Sequence, residues 1–248
     1  MTNTVLITGA SRGIGAATAR LAAQRGYAVG VNYRRDATAA QQVVSDIERA
    51  GGRALAVQAD VSLEADVTRL FDHVERSLGP LKALVNNAGL LERQARLDEM
   101  DAARLQRVLA TNVIGPFLCA REAVRRLSTR YGGRGGVIVN VSSRAAVLGS
   151  AGEYVDYAAS KGAVDTLTVG LAREVAAEGV RVNGVRPGLI DTDIHALGGE
   201  PGRVARLSGN VPLGRGGTPH EVATAIVWLL SDEATFVTGS ILDVSGGR

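Results

Sequence analysis

The chain has 248 residues, of which 46% are hydrophobic and 21% charged, with 28 basic and 25 acidic side chains for a formal net charge of +3. Only 4% of residues are aromatic and the two signs of charge are interspersed, which is poor material for a nucleic-acid surface. No apolar stretch approaches the roughly 18 residues of a membrane span, and the N-terminus lacks the regions of a secretory signal, so a cytoplasmic protein without membrane or nucleic-acid partners is expected. Cys119 is the lone cysteine and reads as a small core residue. An intrachain disulfide is impossible, and three scattered histidines give no expected metal site.

Taken in order, short apolar runs alternate with helical periodicity along the whole length. Val5–Thr8, Ala28–Asn32, Ala54–Gln58, Ala83–Asn86, Val137–Val141, Val180–Val185 and Ile241–Val244 read as strands. Between them Val67, Leu70, Phe71, Val74 and Leu78 recur at helical spacing, as do Val222, Ile226, Leu229 and Leu230. The pattern predicts one α/β domain over residues 1–248, a doubly wound parallel seven-stranded sheet (Rossmann fold) with helices on both faces. In such sheets ligands bind beyond the carboxyl ends of the strands, where strand order reverses.

The first strand runs into Thr8-Gly9-Ala10-Ser11-Arg12-Gly13-Ile14-Gly15 and then an Ala-rich helical stretch. Glycines at such a turn let backbone approach a pyrophosphate and aim helix N-terminal N–H groups at it. The alternative is a tight turn with no ligand. The second strand ends in Asn32-Tyr33-Arg34-Arg35, where an acid would hold a ribose 2′-hydroxyl. Here guanidinium groups stand instead. Together with Arg12 they suit a 2′-phosphate, which favours NADP(H) over NAD(H), although Asp36 could blunt their field and a merely solvated loop is the alternative.

Tyr157 and Lys161 form Y-x-x-x-K, one turn apart on a helix face. Of the 28 basic residues only Lys82 and Lys161 are lysines, so an ammonium at 161 points to chemistry that a guanidinium cannot perform. A nearby ammonium favours phenolate and is expected to lower the Tyr157 pKa. The pair reads as a proton-transfer device. Tyr154 has Ala158 one turn on, so it is expected to line the substrate mouth or to pack.

These residues resemble the short-chain dehydrogenase/reductase family, particularly its 3-oxoacyl thioester reductases and sugar 1-dehydrogenases, and the resemblance covers essentially the whole chain. Thr8 to Gly15 matches T-G-x-x-x-G-x-G; Asp60-Val61 stands where the family contacts adenine; Asn86-Asn87-Ala88-Gly89 matches its N-N-A-G turn; and Pro187-Gly188-Leu189-Ile190-Asp191-Thr192 matches the P-G-x-x-x-T that flanks the nicotinamide. The resemblance implies a catalytic set of Asn112, Ser143, Tyr157 and Lys161. It implies cofactor contacts from Gly9, Ser11, Arg12, Gly13, Ile14, Gly15, Asn32, Tyr33, Arg34, Asp60, Val61, Asn87, Ala88, Gly89, Tyr157, Lys161, Pro187, Gly188, Ile190 and Thr192. In that scheme Tyr157 is general acid or base between a ketone and a secondary alcohol, Lys161 tunes it, Ser143 binds the substrate oxygen and Asn112 holds a relay water. Ser142 competes with Ser143 for that role. Fourteen positions separate Ser143 from Tyr157, one more than in many relatives, so an insertion near residues 149–153 is expected.

After P-G-x-x-x-T, the glycines of residues 194–213 predict an adaptable substrate lid. Arg121, Arg125, Arg126, Arg130 and Arg134 read as a helix face, either solvated or docking an acyl-carrier protein. The family implies a homotetramer or homodimer acting on a small carbonyl or alcohol substrate. A non-catalytic NADP(H) sensor or scaffold of the same fold is the alternative of another class.

Overall fold

The structure, a computed structural model, describes residues 3–248. All seven expected strands form: β1 (Asn3–Ile7), β2 (Tyr27–Tyr33), β3 (Arg53–Gln58), β4 (Leu81–Asn86), β5 (Gly136–Val141), β6 (Val180–Pro187) and β7 (Ile241–Val244). They pair in parallel throughout, in the order β3-β2-β1-β4-β5-β6-β7, so the strand order reverses between β1 and β4. Thr8, expected to close the first strand, instead opens the turn and donates its backbone N–H to Val85 O.

Alternation along the strands divides the core into two layers. Val5, Ile7, Val29, Val31, Val85 and Val139 face α1 (Gly13–Gln24), α2 (Ala37–Arg49) and, later in the chain, the helix Pro219–Leu230. Leu6, Ala28, Leu84, Ile138 and Val182 face the other layer. There lie α3 (Glu64–Leu78), α5 (Gly115–Leu127) and α7 (Val155–Val175), with Phe71 and Cys119 fully buried, while α4 (Ala102–Leu109) and α6 (Ala145–Leu148) pack against α7. The helical stripe from Val67 to Leu78 packs into this layer, as its spacing predicts. Two short helices, α8 (Ile194–Leu197) and α9 (Arg203–Leu207), follow β6, and Pro219–Leu230 is α10.

Polar groups inside the sheet are paired. Asn86 and Asn140 are register partners on β4 and β5; Asn86 Nδ2 donates to Asn140 Oδ1 at 3.0 Å, and Asn140 Nδ2 to Thr168 Oγ1 at 2.9 Å. Such satisfied contacts fix register without leaving a buried amide unmatched. Among the described residues no helix is long and apolar enough to cross a membrane.

Candidate active site

A cleft of about 780 Å³ opens at the carboxyl ends of the strands, over the point where their order reverses. Its size is that of a cofactor-scale site. At one end lie the loop Gly9–Ile14, Arg34, Arg35 and Asp60, and at the other Ser143, Tyr157, Lys161 and the Pro187–Thr192 segment. Of the expected cofactor contacts only Gly15 is absent from the wall, and of the catalytic set only Asn112.

The glycine loop is compact by necessity. A Cβ on Gly9, whose φ is +60°, would lie 2.8 Å from Ala88 Cα, and one on Gly15 would lie 2.5 Å from Asn87 Nδ2. Gly15 thus serves close packing behind the loop. Asn32 and Asn87 turn out to be braces. Asn32 Oδ1 accepts from Gly9 N while its Nδ2 donates to Val57 O and Ala59 O, and Asn87 Nδ2 donates to Thr8 O and Gly9 O. The Asn32 amide is therefore consumed within the protein, and Asn87 keeps only its Oδ1 for a ligand.

The N-terminus of α1 faces the cleft with no side-chain cap and no acid in its first turn. Its free N–H groups and positive dipole end suit a pyrophosphate, so the residues present fit a dinucleotide. At the far end the guanidinium groups are partly engaged. Arg34 Nε lies 2.8 Å from Asp60 Oδ2, and Arg12 Nη2 lies 3.3 Å from Asp36 Oδ2, so both carboxylates blunt the field expected there. Arg35 is exposed on the same wall with no carboxylate partner among the described residues.

At the catalytic end, Lys161 is buried and its Nζ donates to Val141 O at 2.8 Å. The same ammonium lies 5.6 Å from the centre of the Tyr157 ring. Burial dominates both groups. It pushes the Tyr157 phenol up to about 12, against the Ser143 hydroxyl beside it, and pushes Lys161 down to about 8, against the charge of Asp165. The lowering of the phenol expected from Lys161 is not found: burial raises it instead, because desolvation disfavours both charged forms.

The two serines separate cleanly. Ser142 Oγ donates to Lys161 O at 3.2 Å and is buried, whereas Ser143 Oγ accepts from Ala145 N at 3.1 Å on the cleft wall. Between them and Tyr157 the chain makes a turn in which Ser150 takes φ +49°, where the extra residue was expected.

Asn112 lies fully buried in a π-helical turn, Ala110–Ile114, that joins α4 to α5. Its Oδ1 accepts from Leu90 N at 2.7 Å, and its Nδ2 donates to Leu90 O and Ser160 Oγ. The side chain is saturated. Its carbonyl lacks the α-helical donor, because the residue four further on is Pro116, which has no N–H to give, and only the π-type donor Phe117 N, five residues on, stands in the helix for it. A Cβ on Gly89 would stand 3.7 Å from Lys161 Nζ and 3.8 Å from Asn112 Oδ1, so the two residues flank one point.

Further groups on the wall carry no local motif. Tyr154 is buried and donates to Gly198 O at 3.2 Å, with Arg203 stacked 5.3 Å from its ring centre. His195 hydrogen-bonds Ile190 O through Nε2, and burial holds its imidazole below the usual range. Arg93 reaches the cleft only through tertiary folding, so sequence spacing gives no signal for it, whereas His195 and Arg203 belong to the 194–213 segment expected at the substrate, though no motif singles them out.

This arrangement defines a class: a parallel α/β dinucleotide fold with Ser, Tyr and Lys converging at one end of the crevice. Residues 9–248 match the family model described as enoyl-(acyl carrier protein) reductase. The chain is 59% identical to the uncharacterized oxidoreductase YgfF of Escherichia coli K12 over 98% of each chain. It is 42% identical to 3beta-hydroxysteroid dehydrogenase 1 of Eggerthella lenta over 98% of this chain and 92% of that protein. The crystal structure of a short chain dehydrogenase from Burkholderia cenocepacia J2315 in complex with NADP matches with a TM-score of 0.91 at 34% identity, covering 100% of this chain and 98% of that one. The protein belongs to the short-chain dehydrogenase/reductase family and is an oxidoreductase.

Proposed function

We propose that the protein is an NADP(H)-dependent oxidoreductase interconverting a ketone and a secondary alcohol, with Tyr157 as general acid in reduction and general base in oxidation. The observation that carries this reading is the convergence of Ser143, Tyr157 and a buried Lys161 at one end of a cleft whose other end is lined by Arg34 and Arg35. NADP(H), when bound, supplies the hydride. The N–H groups of α1 hold its phosphates, with Arg12, Arg34 and Arg35 around the 2′-phosphate.

The remaining steps follow from this chain's own atoms. Ser143 Oγ accepts from Ala145 N, and its own proton, directed at the Tyr157 hydroxyl, turns to the substrate oxygen as charge develops there. The Tyr157 phenol, held protonated at neutral pH, gives its proton to the same oxygen. Lys161 stabilises the phenolate left behind. The Asn112 carbonyl, which Pro116 deprives of an α-type donor, accepts a water through which the proton is replaced from solvent.

Residues 194–213 form the substrate lid over this site, and the enzyme acts in the cytoplasm as a homotetramer or homodimer, within a single domain. A sensor or scaffold would have no use for a buried ammonium beside a phenol, whose desolvation opposes folding. The test is NADPH consumption over a panel of acetoacetyl thioester, diketones, aromatic ketones and sugar lactones. The reading expects turnover on at least one, reduced by about 10²- to 10⁴-fold in Tyr157→Phe while NADPH still binds. NADPH binding without turnover on any of them would favour the sensor.

A further inference from the structure

The substrate end of the cleft has an apolar lining and a cationic rim. Leu91, Leu148, Leu189, Ile194 and Leu197 form the lining. Arg93 stands on the rim, exposed, on the segment between β4 and α4.

Its position is fixed while its charge is free. Arg93 O accepts from Nη1 of the buried Arg104 at 2.6 Å, and Ala95 N nearby donates to Glu153 O at 3.1 Å, which pins the backbone. The stem runs beside Gly199, where a Cβ would lie 3.5 Å from Arg93 Cγ. The guanidinium itself has no hydrogen bond or ion pair among the described residues. That is unusual in a chain where most arginines are tied to a carboxylate or a carbonyl.

The acids on the neighbouring segments are engaged elsewhere. Glu92 takes Arg107 at 2.8 Å, Glu200 takes Arg203 at 2.9 Å and Gln94 at 2.6 Å, Glu153 takes Arg203 at 3.1 Å, and Asp156 takes Arg104 at 2.7 Å. Asp193 also lines the cleft at the head of α8, and it makes no ion pair with Arg93 among the described residues. The rim at Arg93 is therefore locally positive. An anionic oxygen group arriving there gains a planar fork of donors without displacing an existing partner.

We propose that Arg93 is the anion-binding residue of this site, and that the substrate is a ketone or secondary alcohol with an apolar body and an anionic tail, a carboxylate or a phosphate. The reacting carbon lies at Tyr157, so the proposal rests on the reading of that residue given above. The tail reaches back along Leu91 to the rim.

Two arms separate the sources of the anion. One compares 4-oxo-4-phenylbutanoate with its methyl ester; the other compares acetoacetyl phosphopantetheine with the uncharged acetoacetyl N-acetylcysteamine. The acid-to-ester or phosphate-to-neutral ratio of kcat/KM is expected to exceed about 10 in the wild type, to fall about tenfold in Arg93→Gln, and to be partly kept in Arg93→Lys. The ratio is internal to each variant, so a loss of folded protein cancels. A ratio near 1 in both arms, or an unchanged ratio in Arg93→Gln, overturns the proposal. Binding of 4-phenylbutanoate against 4-phenylbutanamide to the NADP⁺ complex of Tyr157→Phe repeats the comparison without turnover. There an acid preference that Arg93→Gln removes supports the proposal even if the catalytic reading fails, and equal binding sinks it while leaving Tyr157 untouched.

Discussion

At the Tyr157 hydroxyl, desolvation and the hydrogen bond to Ser143 pull in opposite directions. The site keeps a neutral phenol ready to donate and a Lys161 ammonium that titrates near pH 8, close to the working range. In the proposed mechanism Ser143 is the third member, and its neighbour provides the control. Ser143→Ala is expected to lower kcat by about 10²- to 10³-fold, while Ser142→Ala, whose hydroxyl only braces Lys161 O, lowers it by less than about fivefold in steady-state kinetics. The reverse ranking would move the catalytic role to Ser142. Tyr157, Lys161 and the serine pair were legible because their spacing is local. The partner of Arg34 was not, since Asp60 is on a different strand's end and only folding brings it to 2.8 Å.

Among the elements, the start of α7 depends on a contact that no motif announces. Arg104 on α4 forms a buried two-point pair with Asp156, at 2.7 and 3.2 Å, directly before Tyr157, and also holds Arg93 O. Removing one partner strands a buried charge. Arg104→Met should therefore destabilise the fold by about 3 to 5 kcal/mol in urea denaturation, and Arg104→Met/Asp156→Leu should recover much of it; a loss below about 1 kcal/mol would mean the pair is dispensable. The same non-local logic governs residues 194–213. Their glycines read as an adaptable segment, yet α9 is tied by Arg203 to Glu153, and Tyr154 holds Gly198 O. Glycine content reports local backbone freedom, whereas anchoring from across the cleft lies outside any sequence window.

Over the whole molecule, the alternation of strand and helix was sufficient to read the parallel sheet, because both faces bury apolar residues at their own periods. Charge was harder to read. Arg121, Arg125 and Arg126 form ion pairs with Glu64, Glu122, Asp72 and Glu75, so much of the expected basic helix face is neutralised within the chain. At the cofactor end Arg35 has no ion pair among the described residues, and in the proposed reading Arg34 exchanges Asp60 for a 2′-phosphate. Arg34→Asp is accordingly expected to raise the NADPH KM by at least about tenfold with little change for NADH; equal losses for both would remove the argument for NADP(H).

The most direct test of the proton-transfer account is the pH dependence of kcat/KM for ketone reduction at saturating NADPH, in the wild type and in Lys161→Arg. The phenol stays protonated to about pH 12, so the limiting group is Lys161, which stabilises the nascent phenolate only as the ammonium. Reduction should be flat below about pH 8 and fall as pH rises through it. In Lys161→Arg, slower overall because the guanidinium cannot reproduce the ammonium's fit, that limb should vanish, since the charge no longer titrates. A wild-type profile flat to pH 10, or the same descending limb in Lys161→Arg, would contradict the assignment of Tyr157 and Lys161 as the working pair.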